Sequence, residues 1–157
     1  MDIGSGKTYP SNALSNFAPH PFMVDGVECN SMEGFLQSLK FKNPEMQKHV
    51  CTLVGKQAKF KGKKKKWYVT QTLWWKGEEI DRHSSQYHRL LVNAYNELAK
   101  NTGFKKALLA TKNSSLTHSI GKNDPHRTIL TVQEFCSILT ELRESLKRES
   151  KEHSKTP

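Results

Sequence analysis

Apolar residues recur at helical spacing over most of this chain. The cleanest stretch is residues 84–100, where Tyr87, Leu90, Leu91, Ala94, Tyr95 and Leu98 fall on one face. Ser31 is placed to cap an earlier helix running to about residue 42, with Met32, Phe35, Leu36 and Leu39 as its apolar stripe. Asn43-Pro44 starts the next, Asn as cap and Pro at the first helical position, with Met46, Val50, Leu53 and Val54 turned inward. A short helix is expected over residues 104–111. The last begins at Thr131-Val-Gln-Glu134, a capping box in which hydroxyl and carboxylate each satisfy a backbone N–H. Its core face is Phe135, Ile138, Leu139, Leu142 and Leu146. One segment departs from this period: Asp25-Gly26 sits between two short apolar runs, which predicts a β-hairpin over residues 21–29. The pattern therefore predicts a mainly α protein, a single compact helical domain over residues 1–146 with a small N-terminal β-hairpin. Residues 147–157, charged and poor in apolar side chains, read as a frayed or disordered tail.

Composition narrows the class. A chain of 157 residues is one domain with room for a core. It holds no run of ~18 apolar residues that would span a bilayer. Nor does a basic stretch followed by an apolar one open the chain, so a cytoplasmic protein without a membrane partner is expected. Cys29, Cys51 and Cys136 lie far apart and read as reduced thiols. The acids are scattered and no His pair has a third ligand nearby, so neither metal nor cofactor is expected.

Net charge is +10 and unevenly placed. Residues 56–66 read KQAKFKGKKKK, a self-repelling block expected to be a solvated loop or helix end. Lys61, Lys63, Lys64, Lys65 and Lys66 either solubilise the surface or meet phosphates of a nucleic acid or pyrophosphate-bearing ligand.

Three segments carry candidate chemistry. Glu33, Gln37 and Lys40 form a polar stripe beside the apolar face of their helix. That stripe is either solvent-exposed, with a weak ion pair, or a carboxylate, amide and amine converging on one pocket. Trp74 and Trp75 are adjacent, so in a strand one faces the core and the other a ligand. The loop around residues 119–128 gathers His118, Gly121, Lys122, Asn123, Asp124, His126 and Arg127, as either a plain connection or a functional loop. By contrast, Gly4-Ser-Gly-Lys-Thr8 is no phosphate-binding loop. The motif needs a glycine where Met1 stands, and no strand precedes it.

Taken together, LSNFAPHPFMVDGVECNSMEGFLQSLKF (Leu14–Phe41), QTLWWKG (Gln71–Gly77) and LLATKNSSLTHSIGKNDP (Leu108–Pro125) resemble the NADAR, or YbiA-like, family, in the subgroup of bacteria and phages. The resemblance implies hydrolysis of an N-glycosidic bond. The substrate would be ADP-ribosylated guanine in nucleic acid or, alternatively, a phosphoribosylated intermediate of riboflavin synthesis. A non-catalytic basic nucleic-acid-binding module is the competing reading. By the same resemblance Glu33 is the central acid and Asp124 lies near a second acidic position. Trp74 or Trp75 supplies an aromatic wall, the family's more usual tryptophan falling near His83 here. For that substrate class Lys40 is a possible nucleophile through a Schiff base. Asn16 and Gln37 would position ribose hydroxyls, the lysines and Arg127 would meet the phosphates, and Ser15, Phe17, His118, Gly121, Lys122 and Asn123 would also bind substrate.

Overall fold

The computed structural model of the protein describes residues 1–154. A 3-10 turn, Ser11–Leu14, precedes the expected hairpin of β1 (Phe22–Val24) and β2 (Val27–Cys29). Val24 pairs with Val27. Asp25 and Gly26 both take positive φ, 49° and 80°, as a two-residue turn of this twist requires. The helices α1 (Met32–Ser38) and α2 (Pro44–Cys51) follow where the caps place them. Ser31 Oγ accepts from Gly34 N at 3.0 Å, and Asn43 Oδ1 accepts from Glu45 N at 2.8 Å.

Then come α3 (Gly55–Lys63) and α4 (Trp67–Thr70). The lysine block is thus mostly helical, its buried stripe made only of Ala58 and Gly62. A second hairpin joins β3 (Thr72–Trp75) to β4 (Glu78–Asp81), with Lys76 and Gly77 at positive φ. The helices α5 (Ser85–Leu98) and α6 (Thr102–Ala110) complete the middle of the chain.

The last helix, α7, runs Val132–Ser154. Both halves of its capping box form: Glu134 N donates to Thr131 Oγ1 at 3.0 Å, and Thr131 N donates to Glu134 Oε1 at 2.7 Å. Residues 147–154, expected as a frayed tail, continue this helix. Lys147 Nζ donates to Asn113 Oδ1 and lies 3.3 Å from Glu144, which extends the ordered turns past the last apolar residue. The final part of the expected tail, residues 155–157, lies outside the described residues.

The core gathers the expected faces of α1, α5 and α7 around Phe35, Leu39, Tyr87, Leu91, Tyr95, Phe135 and Leu139, all buried. In α2, Val50 is buried as expected, but Met46 is only half-buried, and Leu53 and Val54, also half-buried, lie beyond the end of the helix. Gln47 takes the inner position instead. Its amide donates to Ser38 O and Trp74 O, and its carbonyl accepts from Lys76 N, so α2 is tied to the second hairpin by polar bonds. Both cysteines near this junction, Cys29 and Cys51, are buried thiols.

Candidate active site

The polar stripe of α1 points into a cavity of about 350 Å³. Its lining comes mainly from residues 15–17, from Glu33 and Gln37 of α1 with Lys40 just beyond it, from the α3–α4 side through Lys59 and Trp67, and from residues 118–130, with Ser5 and Phe135 added.

Glu33 is fixed at both ends. Its backbone N–H donates to Asn16 O at 2.9 Å, and its Oε1 accepts from Gln37 Nε2 at 2.9 Å. Asn16 is itself held, accepting at 2.7 Å from the hydroxyl of Tyr95, a ring wholly inside the core. Burial pushes the Glu33 carboxyl above its usual range, against the lowering effects of Gln37, Lys40, Lys59 and His118. The same burial lowers the Lys40 amine, which Glu33 partly offsets. Both groups are thus moved toward their neutral forms, as sites of proton transfer or nucleophilic attack require.

His118 enters from the opposite wall. Its Nδ1 is 2.8 Å from Ile3 O, and a carbonyl only accepts, so Nδ1 carries a proton and Nε2 is left for a ligand. The N-terminal segment fixes this wall: Ile3 N donates to Thr117 O, and Asp2 accepts from Ser119 N at 2.8 Å. Gly121 lies so close that a Cβ there would stand 2.6 Å from His118 Cδ2 and 2.5 Å from Val132 Cγ2.

The expected site residues divide cleanly. Ser15, Asn16, Phe17, Glu33, Gln37, Lys40, His118, Gly121, Lys122 and Arg127 all line the cavity. Asn123 and Asp124 do not. Asn123 Oδ1 accepts from Gln133 N at the start of α7, and Asp124 Oδ1 accepts from His126 N, so both serve the loop's own turns. Asp124 is exposed, and those bonds hold its carboxyl below the usual range, which favours the ionised form and leaves it poorly suited to donate a proton.

Trp75 packs in the core against Phe35 and donates to Asp25 Oδ2 at 2.8 Å. Trp74 sits outside the cavity beneath Lys42. The tryptophan that lines the cavity is Trp67 instead, seven residues before Trp74. Its signal was its place directly after the lysine run. Lys61, Lys63, Lys64, Lys65 and Lys66 do not line the cavity, whereas Lys59 does.

One close approach sets the position of Gln37. A Cβ added at Gly62 of α3 would collide with Gln37 Oε1 and stand 2.8 Å from its Cδ. That Oε1 is buried without a hydrogen-bond partner among the described residues. Gly62→Ala is therefore expected to displace Gln37 and release Glu33, while the helix itself tolerates alanine better than glycine by ~1 kcal/mol. Turnover should fall roughly tenfold with the melting temperature kept within a few degrees. An enzyme assay beside a thermal melt reads both, and unchanged turnover would show that Gln37 is not positioned by this contact.

A helical domain with two small hairpins and this buried carboxylate cavity defines a YbiA-like fold. The solved NMR structure of the E. coli protein YbiA aligns with it at a TM-score of 0.64, covering 96% of this chain and 86% of that one at 18% sequence identity. Residues 8–144 match the family described as bacteriophage protein GP30.3, and the chain belongs to that family. A relative in Enterobacteria phage T4, described as an uncharacterized 17.1 kDa protein in the Gp30-rIII intergenic region, is 42% identical over 155 residues. That match covers 93% of this chain and 98% of the relative.

Proposed function

We propose that the protein hydrolyses an N-glycosidic bond, removing ADP-ribose from ADP-ribosylated guanine in nucleic acid. The observation that carries this reading is the Glu33 carboxyl, half-buried in a cavity that it lines together with Lys40, seven residues on and just past the end of α1. Breaking a C1′–N bond builds positive charge on the ribose, and a carboxylate at the anomeric carbon stabilises it, as paired carboxylates do in glycoside hydrolysis. Glu33 takes the proton of the attacking water, whose oxygen joins C1′ as the base leaves with the bonding electrons and is protonated. Lys59, Lys122 and Arg127, at the rim of the same cavity, suit the pyrophosphate. Asn16 and Gln37 suit the ribose hydroxyls.

Lys40 supports a second route to the same products. Its amine, held toward the neutral form by burial, attacks C1′ as guanine leaves with the C1′–N electrons and takes up a proton. The ring oxygen then gains the proton that the amine loses as the ring opens to a Schiff base, and water cleaves the C=N bond to free Lys40 and the sugar. On this route borohydride reduction during turnover traps an ADP-ribosyl adduct visible by mass spectrometry, and Lys40→Ala removes it. Absence of any adduct in the native protein would leave direct attack by water.

The deciding experiment incubates the protein with guanine-ADP-ribosylated single-stranded DNA and follows release of ADP-ribose. Release is expected. No release, together with turnover of a phosphoribosylated riboflavin intermediate, would move the reading to the small molecule. Failure on both would leave a binding module.

A further inference from the structure

Between Glu45 and Glu78 the chain has no acidic residue, and the lysine block lies within that span. Helix α3 buries Ala58 and Gly62 against α1, which turns Phe60 to the opposite side, straight out to solvent. Lys56, Lys63 and Lys64 flank it, and Lys63 Nζ lies 5.8 Å from the Phe60 ring centroid. Phe60 is 60% exposed, Tyr68 on α4 45% and its neighbour Val69 70%. Among the described residues, none of Lys56, Lys61, Lys63, Lys64, Lys65 and Lys66 is in an ion pair. A merely solubilising basic helix has no need of a phenylalanine at its outermost position, and exposed apolar groups set among charges mark contact surfaces. The face also adjoins the cavity: Lys59, next to Phe60, and Trp67, next to Tyr68, both line it.

We infer that the outer face of α3–α4 is a docking track for single-stranded nucleic acid, with Phe60 and Tyr68 stacking on bases and the lysines meeting the backbone. Alternation of cations and aromatic rings is how unpaired strands are held without sequence preference, since every base offers a flat face. A duplex keeps its bases stacked on one another and gives the rings nothing to cover. The track leads along Lys59 and Trp67 to the cavity, so a nucleotide leaving the strand there would reach Glu33. In that last respect the inference rests on the hydrolase reading; the track itself does not.

The test is fluorescence anisotropy with an unmodified, labelled oligothymidylate of twelve nucleotides, against a duplex of equal length and against heparin. Binding to the single strand is expected, with affinity falling steeply as salt rises. Phe60→Ala and Tyr68→Ala should each weaken it at least ~5-fold without changing the slope against salt. Replacing Lys63, Lys64, Lys65 and Lys66 by glutamine should flatten that slope. Both aromatic side chains are exposed, so circular dichroism should show both variants folded. Equal binding of duplex or heparin, or full affinity in Phe60→Ala and Tyr68→Ala, would overturn the track. Ring-dependent strand binding by a protein that hydrolyses no ADP-ribosylated guanine would sink the hydrolase reading alone, and hydrolysis without it would sink the track alone.

Discussion

Glu33→Gln is expected to lower turnover of ADP-ribosylated guanine by ~10²–10⁴-fold and, at neutral pH, to raise the melting temperature. The two effects share one cause. Burial raises the folded-state pKa of Glu33 above its ordinary value of 4.5. The folded protein therefore holds this proton more tightly than the unfolded chain does. The associated stability is complete below the unfolded pKa and is lost as pH rises through the higher folded one. As pH rises, the native protein has to ionise a carboxyl in a site that resists the charge. Glutamine accepts the same hydrogen bond from Gln37 without that charge. A gain of about 1 kcal/mol corresponds to roughly 2–4 °C in a chain of this size. Thermal melts of both proteins from pH 4.5 to 8 should diverge as pH rises, the variant staying higher. Near-normal turnover in Glu33→Gln would defeat the assigned chemistry, and parallel melting curves would defeat the account of the cavity's electrostatics.

Glu134→Ala is expected to be the most destabilising single change considered. The Arg82 guanidinium is 3% exposed and grips Glu134 with two bonds, at 2.7 and 3.2 Å, while its Nε donates to Thr128 O. Burial alone would raise the Glu134 carboxyl, but Arg82 and the Thr131 backbone N–H outweigh it and the net shift is downward. Its contribution is thus present above the unfolded pKa and lost as pH falls through the lower folded one. Truncation leaves Arg82 buried without its counter-charge, which costs about 3–5 kcal/mol, and also removes the capping box of α7. Urea denaturation at pH 7 measures the loss. The double change Arg82→Met with Glu134→Leu should cost less than Glu134→Ala alone, because no uncompensated charge remains. A single-site loss below about 1 kcal/mol would show that water reaches the guanidinium after all.

The sequence announced the elements whose reasons lie within a few residues. The caps at Ser31, Asn43 and Thr131 and the Asp25-Gly26 turn stand where expected because each satisfies local backbone groups. The stripe on α1 was visible as a stripe, though nothing in its spacing distinguished a pocket wall from a wet surface. That distinction came from α3. Its packing face is only Ala58 and Gly62, which leaves no hydrophobic period to read, yet those two small residues let α3 close over Gln37. The second hairpin was hidden for a related reason. Its turn residue Lys76 adopts positive φ without being Gly, Asn or Asp, and its inner face shows as Leu73, Trp75 and Ile80 only once both strands are paired. Trp67 carries no local mark of its place at the cavity, because the four residues of α4 are too few to show a hydrophobic period. Asp124 was drawn in by its chemistry in a loop dense with reactive side chains, where it serves its own turn.

The wall that carries His118 joins segments far apart along the chain: Asp2 bridges to Thr117, and Ile3 holds the imidazole across 115 residues of separation. Contacts of such long range pay the full entropy of loop closure before they return anything, so they form late. During synthesis, α1 can pack on α2 and α3 while the residues around His118 are still unmade. The protein therefore acquires the α1 wall of the cavity before the wall that faces it, and on thermal opening the same seam is placed to part early.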